Sequence, residues 1–274
     1  MLRQRVVTAS VLATAFLLVL FYGPWQIFAA FTGLVFLLSS WEWADLSGFS
    51  SKVSRSCYTA LTLILGLGLG WAAGWGYQKP WLQLFFSAVV CWWVIALVLV
   101  KGYPGNTALW GGKWVRAFMG WLVLLPAWIA CIYLRSDGLG PWVVLLVVLI
   151  VATADITAFF AGRAFGKRKL APRVSPGKSW EGVWAGMALA ALLGLCYNLF
   201  FEGISWLNLV IIILPTAFAS VLGDLLESMV KRHRGVKDSG SLLPGHGGLL
   251  DRVDGLVAAG PTFSLLVLFT GWSL

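Results

Sequence analysis

The sequence predicts an all-α protein of about nine transmembrane helices, forming one membrane-embedded domain over residues 1–274. Hydrophobic residues make up 59% of the chain and charged residues only 11%, against roughly a quarter in an ordinary soluble domain. Apolar stretches of about 17 to 27 residues recur along nearly the whole length, and each is long enough to cross a hydrocarbon core of ~30 Å. No stretch remains that could form a soluble domain of normal size.

The nine predicted spans follow one another with short polar loops between them, at approximately residues 6–22, 25–41, 57–77, 81–100, 115–134, 141–163, 180–201, 205–230 and 253–272. The first span follows Arg3 and Arg5, as a secretory signal would. No small-residue cleavage site comes after it and a second span begins at once, so we predict a retained anchor.

The charge balance predicts the orientation of these spans. With the N-terminus in the cytoplasm, 18 of the 20 cations fall in cytoplasmic segments, and only Lys79 and Arg135 lie outside. Positive charge is retained on the cytoplasmic side, which in a bacterium is the inner face of the cell membrane. This face should attract anionic substrates. The net charge of +9 does not indicate nucleic-acid binding, because the cations are predicted next to the membrane and the sequence has no motif that recognises nucleic-acid bases.

The two halves of the chain differ in character. Residues 1–140 are predicted to be mainly scaffold, and residues 141–274 to carry the catalytic spans and loops. In the first half, Gly66, Gly70 and Gly74 have the spacing that lets membrane helices approach closely, either within one subunit or at the seam of a homodimer. Glu42 and Asp45 are expected to be solvated at the start of a cytoplasmic loop.

The second half concentrates acidic residues in or next to its spans. Six of the eleven acids have this placement: Asp155, Glu181, Asp224, Glu227, Asp251 and Asp254. A carboxylate at membrane depth costs several kcal/mol unless it is paired or solvated. These positions are therefore functional candidates.

One face of the eighth span carries four polar groups. Asp224, Glu227, Ser228 and Lys231 are spaced i, i+3, i+4 and i+7, which places them on the same side of a helix. An internal ion pair between Glu227 and Lys231 is the structural alternative, although it leaves Asp224 unexplained.

A metal-and-phosphate site is predicted where the last loop returns the chain to the membrane. Asp251 and Asp254 would meet Asp224 there, and three hard oxygen ligands beside Lys and Arg side chains suit Mg²⁺. The structural alternative is that both carboxylates cap the ninth span and complement its dipole.

Two loops offer further phosphate contacts. Backbone N–H groups around Gly247 and Gly248 could face phosphate, although glycines also mark any tight turn, and His246 between glycines could bind an anion or a base edge. The stretch 175–182 imitates the end of a P-loop but lacks its first glycine and its preceding strand. Lys178 and Ser179 could still bind phosphate at the start of the seventh span.

The loop spacing resembles the motif of a known enzyme family. The pattern Ser228-x-x-Lys231-Arg232-x4-Lys237-Asp238, followed by Pro244-x-His246-Gly247-Gly248-x-x-Asp251-Arg252-x-Asp254, is similar to the diagnostic motif of phosphatidate cytidylyltransferases. The stretches "DITAFFAGRAFGK", "SPGKSWEG" and "GDLLES" resemble the same family. By motif the resemblance covers about residues 150–260, with only "WEWADL" in the first half.

The resemblance implies transfer of a cytidylyl group from CTP to phosphatidic acid, giving CDP-diacylglycerol and pyrophosphate with Mg²⁺. A second cation, monovalent or divalent, is left open. The expected catalytic residues are Asp224, Asp251, Lys231 and Arg232. Substrate contacts are expected from Ser228, Lys237, Asp238, His246, Gly247, Gly248, Arg252, Lys178 and Ser179. The expected metal ligands are Asp224, Asp251, Asp254 and Asp155.

Two other functions remain as alternatives. A CTP-dependent polyprenol or dolichol kinase would use the same nucleotide but transfer its terminal phosphate. An ion-coupled transporter, from a different class, would use the carboxylates as a proton relay. A CDP-alcohol phosphotransferase is disfavoured, because the run after Asp254-Gly255 lacks the arginine of that motif.

Overall fold

The computed structural model describes residues 2–76, 78–136, 140–200, 205–243, 245 and 247–272. The α-helices of this part of the chain are α1 (Leu2–Tyr22), α2 (Trp25–Ser47), α3 (Lys52–Ala72), α4 (Lys79–Gly102), α5 (Thr107–Trp110), α6 (Lys113–Ser136), α7 (Gly140–Phe165), α8 (Trp180–Phe200), α9 (Trp206–Arg234) and α10 (Leu256–Thr270). Its strands are β1 (Lys169–Ala171) and β2 (Ser175–Ser179), and two 3-10 turns span Gly74–Gly76 and Leu250–Arg252.

The helical membrane fold predicted from composition is confirmed. Among the described residues, seven helices are long and apolar enough to cross a membrane, namely α2, α3, α4, α6, α7, α8 and α9. Two shorter apolar helices, Val6–Tyr22 and Leu256–Thr270, coincide with the first and last predicted spans. The count of nine crossings and the orientation of the N-terminus remain predictions.

Helix α6 lies at the centre of the bundle, where it packs against α2, α7 and α10. Its buried residues are mostly apolar, as expected for a helix surrounded by protein on several sides. By contrast, only 22% of the apolar window of α3 and of α8 is buried, which suits helices that face lipid. The polar loops at one end of this bundle therefore rest on a rigid apolar base.

Small residues bring α7 and α8 into close contact. A Cβ at Gly182 would lie 2.6 Å from the carbonyl oxygen of Ala158, and one at Gly186 would lie 2.6 Å from that of Ala154. Only glycine fits at such separations, and this four-residue spacing is common at membrane helix interfaces. The interface holds Asp155, which follows Ala154 on α7, at a defined position relative to the start of α8.

The glycines of α3 pack against aromatic side chains of the same chain. A Cβ at Gly66 would strike the ring of Trp128, and one at Gly70 would strike the ring of Trp75. Packing within one subunit therefore accounts for these two positions. The homodimer remains a prediction.

A short antiparallel hairpin joins α7 to α8. Its register pairs Lys169 with Ser179 and Ala171 with Ser175. The carboxylate of Glu181 accepts hydrogen bonds from the backbone N–H groups of Lys167 and Arg168, at 3.1 to 3.2 Å. We call the side of the molecule that carries this hairpin the hairpin end.

Candidate active site

A cavity of about 680 Å³ lies at the hairpin end, between α7, α8, α9 and the β1–β2 hairpin. Four carboxylates line it: Asp155, Asp224, Asp251 and Asp254. These are the four residues predicted as metal ligands, and they come from three separate segments of the chain. We call this space the carboxylate cavity.

Asp224 is linked to two neighbours that the sequence also singled out. Its Oδ1 accepts a hydrogen bond from the Ser228 hydroxyl at 3.0 Å, one helical turn further along α9. Its Oδ2 lies 2.5 Å from the Nζ of Lys178 on β2. Lys178 and Ser179 both line the cavity, and the Ser179 hydroxyl accepts a bond from the Gly182 N–H at the start of α8. The hairpin thus places the ammonium of Lys178 next to the acidic face of α9.

Lys231 is buried between two carboxylates. Its Nζ lies 2.9 Å from Oε1 of Glu227 and 2.6 Å from Oδ1 of Asp251. The ion pair within α9 that the sequence left as an alternative is therefore present. Lys231 forms a second ion pair as well, because the same ammonium contacts Asp251 and so connects α9 to the loop that precedes α10.

Asp251 organises this returning loop. Besides Lys231, it accepts hydrogen bonds from the backbone N–H groups of Ser239 and Gly248, the shortest at 2.9 and 3.0 Å. Burial alone would raise the pKa of the Asp251 carboxyl, but the hydrogen bond and charge of Lys231 hold that pKa below its ordinary value. Asp251 is thus an anion whose oxygens already have protein donors.

Asp254 lies beside Asp224 because Gly223 allows it. A Cβ at Gly223 would collide with the carbonyl oxygen of Asp254, so only glycine permits this approach of α9 to the turn before α10. Burial, and then the charges of Asp224 and Asp155, raise the pKa of Asp254. The N-cap of α10 is Gly255, and its backbone N–H donates a hydrogen bond to Oδ1 of Asp254 at 2.9 Å. The capping alternative is therefore supported in part for Asp254, whereas the oxygens of Asp251 bind Lys231, Ser239 and Gly248.

Glu42 is a site residue that the sequence analysis misplaced. The expectation that it would be solvated is wrong, because its side chain lies inside the protein at 3% exposure. Its carboxylate accepts hydrogen bonds from the N–H groups of Leu249 and Leu250, at 3.1 and 2.8 Å, and from the Ser239 hydroxyl at 3.1 Å. A helix from the first half of the chain therefore holds the loop that carries Asp251.

Glycines make room for this carboxylate. Side chains at Gly240 or Gly248 would strike the Glu42 carboxyl group. The N–H of Gly248 donates to Asp251, and the carbonyl of Gly247 accepts from the Leu243 N–H. Of the N–H groups expected to face phosphate, that of Gly248 is thus engaged within the loop itself.

Several predicted site residues do not line the carboxylate cavity themselves. In the described part of the chain these are Ser228, Lys231, Arg232, Lys237, Asp238, Gly247, Gly248 and Arg252. Arg232 donates instead to the carbonyl oxygens of Val174 and Val236, at 3.3 and 3.2 Å. It thereby fastens the hairpin to the end of α9. Pro244 and His246 lie outside the described residues.

The chemistry of the cavity suits a hard cation bound together with an anionic ligand. Within the described ranges, no three acidic, histidine or cysteine side chains converge closely enough to hold a metal ion alone. Mg²⁺ does not require such a cage, since it is commonly bound by one or two carboxylates together with substrate phosphates. Asp155, Asp224 and Asp254 provide oxygen ligands of this type.

Fold and site together define a multi-span membrane protein with a carboxylate- and lysine-lined cavity at one end of its bundle. The sequence profile of the cytidylyltransferase family matches residues 3–270, and the chain belongs to this family. It is an enzyme of the nucleotidyltransferase class.

Several similar proteins bear the name phosphatidate cytidylyltransferase, among them the following three. The protein from Pseudomonas aeruginosa is 45% identical over 99% of both chains. The relative from Haemophilus influenzae is 39% identical over 98% of this chain and 99% of its own. The relative from Bacillus subtilis is 31% identical, with the same coverage of the two chains.

Proposed function

We propose that this enzyme transfers a cytidylyl group from CTP to phosphatidic acid, giving CDP-diacylglycerol and pyrophosphate for phospholipid synthesis. One observation carries the proposal: in a chain of this family, four carboxylates and Lys178 line one cavity at the polar end of a membrane bundle. One substrate would be a lipid and the other soluble, so their reaction requires a site at the boundary between membrane and water. The names of the full-length relatives support the same substrates.

The reaction makes modest demands on acid–base chemistry. A phosphate oxygen of the lipid forms a bond to the α-phosphorus of CTP, while the bond from that phosphorus to the bridging oxygen breaks and pyrophosphate leaves with the electron pair. The attacking oxygen is already ionised at neutral pH, so a strong general base is unnecessary. The main tasks are to hold two anions in line and to neutralise the charge that develops.

Three cations in and around the cavity have proposed roles in these tasks. Lys178 would contact phosphate, held in position by its ion pair with Asp224. Lys231 would act through Asp251, which it binds directly, as a positioning residue. Arg232 would act through the hairpin that it fastens. These roles replace the direct phosphate contacts expected for both cations.

Mg²⁺ is the proposed cofactor, and when bound it would supply positive charge to the phosphate oxygens. Asp155, Asp224 and Asp254, which line the carboxylate cavity, would hold it. Chelation with EDTA is expected to abolish cytidylyl transfer, and added Mg²⁺ to restore it. Calcium at the same concentration serves as the control, because it prefers more ligands and longer bonds than Mg²⁺.

The decisive assay uses purified protein, phosphatidic acid and CTP labelled at either its α- or its γ-phosphate. Label from the α-position entering lipid, together with release of pyrophosphate, is the expected result. Label from the γ-position entering lipid would overturn the proposal in favour of a lipid kinase. Entry of neither label would overturn both enzyme functions and favour the transporter.

The enzyme is proposed to lie in the cytoplasmic membrane with the carboxylate cavity open to the cytosol. The hairpin end carries most of the loop cations, including Lys167, Arg168 and Lys169. Such residues are retained on the cytoplasmic side of a membrane. CTP would then reach the site without crossing the bilayer.

A further inference from the structure

A second cavity lies on the other side of the β1–β2 hairpin. It has a volume of about 330 Å³. Helix α4 contributes Leu97 and Val100, and α9 contributes Phe218, Leu222 and Leu225. We call this cavity the lateral groove, because it runs along the flank of the bundle.

The hairpin lies between the two cavities, and the residues that face each cavity differ in polarity. Lys169, Ser175 and Lys178 line the carboxylate cavity, whereas the segment 170–174, which includes Leu170 and Val174, lines the lateral groove. One short element therefore presents a polar side to one space and a mainly apolar side to the other.

Charge complementarity limits what can occupy the lateral groove. Its wall is mostly apolar, but Lys101, near the end of α4, and Arg173, in the hairpin turn, lie at its hairpin end. Both side chains are exposed. An apolar channel that ends at two cations suits an amphiphile with a hydrocarbon chain and an anionic head, and the hydrocarbon gains free energy from burial while the head meets positive charge.

The lateral groove adjoins the carboxylate cavity. Val221 on α9 lines both spaces. Asp224 follows it by three residues and therefore lies nearly above it on the same helix. A lipid whose chain lies against Leu222 and Leu225 can thus place its head at the rim of the carboxylate cavity.

We propose that the lateral groove holds an acyl chain of the phosphatidate substrate, with Lys101 and Arg173 drawing its phosphate toward Asp224. This inference rests on the proposed function. The phosphomonoester of phosphatidate carries more negative charge than a phosphodiester headgroup, so two cations at the rim favour it over bulk phospholipid.

A second apolar groove is the competing location. It also measures about 330 Å³, lies between α1, α2, α7 and α10, and has Arg252 as the charged residue of its described lining. That lining shares no residue with the carboxylate cavity. A chain held there would approach the acids from the opposite side of the returning loop.

Photocrosslinking distinguishes the two grooves without requiring turnover. The full-length protein in lipid nanodiscs receives phosphatidate with a diazirine in the first half of one acyl chain, close to the headgroup, and crosslinked peptides are identified by mass spectrometry in the absence of CTP. We expect label at 97–100 and 218–225, competed by unlabelled phosphatidate but not by phosphatidylcholine. Label at 12–16, 28–36 or 144–148 would overturn the inference, as would an absence of label or its competition by phosphatidylcholine.

Matched substitutions test the same groove by kinetics. Leu97→Trp fills the lateral groove and should raise the KM for phosphatidate about tenfold, in the range by which pocket shape discriminates between ligands, with the KM for CTP unchanged. Leu12→Trp fills the competing groove and should leave both values as in the wild type. The reverse pattern would overturn the inference.

Charge reversal tests the rim. The double variant Lys101→Glu/Arg173→Glu should raise the KM for phosphatidate about tenfold or more, whereas Lys52→Glu, at the exposed start of α3, should not change it. An equal effect of both would mean that general surface charge, rather than the groove, attracts the lipid.

The inference and the proposed function can fail separately. If the wild type transfers no α-label to lipid, the proposed function is wrong, and the crosslinks still report which groove binds phosphatidate. If the wild type is active but the crosslinks lie in the competing groove, only the inference is wrong.

Discussion

Asp224 has close links to both the helix and the hairpin, and its charge should be required for turnover. In Asp224→Asn the shape is kept, but the attraction for Lys178 and for a bound cation is lost. We expect cytidylyl transfer to fall by about 100-fold or more, as when one preorganised charge-stabilising group is removed from an active site. Insertion and yield should be normal, and α-label transfer at matched protein concentration gives the measurement.

Asp45→Asn is the matched control for this variant. Asp45 forms an ion pair with Arg55 that is partly exposed, and exposed ion pairs contribute about 0–1 kcal/mol. Its activity should stay within about twofold of wild type. Near-wild-type activity in Asp224→Asn would remove that residue from the proposed site.

Glu42→Gln should weaken the clamp on the returning loop. The amide keeps one acceptor oxygen but places an NH₂ group against backbone donors, and a buried group left unsatisfied costs about 1–3 kcal/mol. Because the loop positions Asp251, we expect the turnover number to fall roughly tenfold to a hundredfold, with a lower unfolding temperature. Turnover at saturating CTP and phosphatidate, alongside thermal unfolding in detergent, gives the measurement.

Ser239→Ala provides a graded comparison, because it removes only the hydroxyl donor to Glu42. It should cost about 1 kcal/mol of stability and reduce turnover less than Glu42→Gln does. Full turnover in Glu42→Gln, even with a lower unfolding temperature, would show that the clamp stabilises the fold without tuning the site.

The candidate site was predictable where its residues lie near one another in sequence. Helical periodicity placed Asp224 and Ser228 on one face, and they are hydrogen-bonded. Glu42 was misplaced because its partners lie about 200 residues away, and no local pattern reports such a distance. The span end was also misplaced: the second span was predicted to end at residue 41, whereas α2 continues to Ser47, so Glu42 lies within the helix and not in a loop.

At the scale of elements, the ammonium of Lys231 couples α9 to the loop before α10. Lys231→Met leaves Glu227 and Asp251 without their cation, and breaking a buried ion pair in this way typically costs about 3–5 kcal/mol. We expect a marked fall in the unfolding temperature of the detergent-purified protein. Lys237→Met, at an exposed position of the same loop region, should stay within about 0.5 kcal/mol of wild type.

A second variant separates the charge from its packing. Replacing Asp251 by Asn in the Lys231→Met background removes one of the two stranded anions. It should recover part of the lost stability but none of the activity. No recovery would mean that the loss comes from packing of the lysine stem, and the coupling between α9 and the loop would be weaker than its geometry indicates.

The β1–β2 hairpin was not predictable from the sequence. Its strands have only three and five residues, too few for a clear alternation of polar and apolar side chains. The close contact of α7 with α8 was also unanticipated. Gly182 and Gly186 carry the helix-packing spacing, but the sequence does not show which helix they face, and their partners Ala158 and Ala154 are known only from the structure.

For the whole molecule, the fold class followed from composition, because the length of apolar stretches is fixed by the thickness of the bilayer. Orientation is a separate question that labelling can answer. In a background without the four native cysteines, Lys237→Cys should react with a membrane-impermeant maleimide only after cells are opened. Trp206→Cys, at the start of α9, should react in intact cells.

The reverse labelling pattern would invert the predicted topology and place the carboxylate cavity outside the cytosol. Labelling of both positions from the same side would contradict α9 as a crossing helix. Cys57, Cys91 and Cys196 are exposed in the structure, so their removal is needed for a clean result and should not disturb the core. Cys131 packs against the core, so activity of the cysteine-free background is checked before labelling.

The clamp between Glu42 and the returning loop also sets an order of assembly during synthesis. Glu42 is made about 200 residues before Leu249 and Leu250, and at translation rates of roughly 5–20 residues per second this corresponds to a wait of about 10–40 s. Throughout that interval the carboxylate has none of its final donors, in a segment that has already entered the membrane. The nascent chain therefore reaches its working form only at the end, when the last hairpin arrives and supplies those donors.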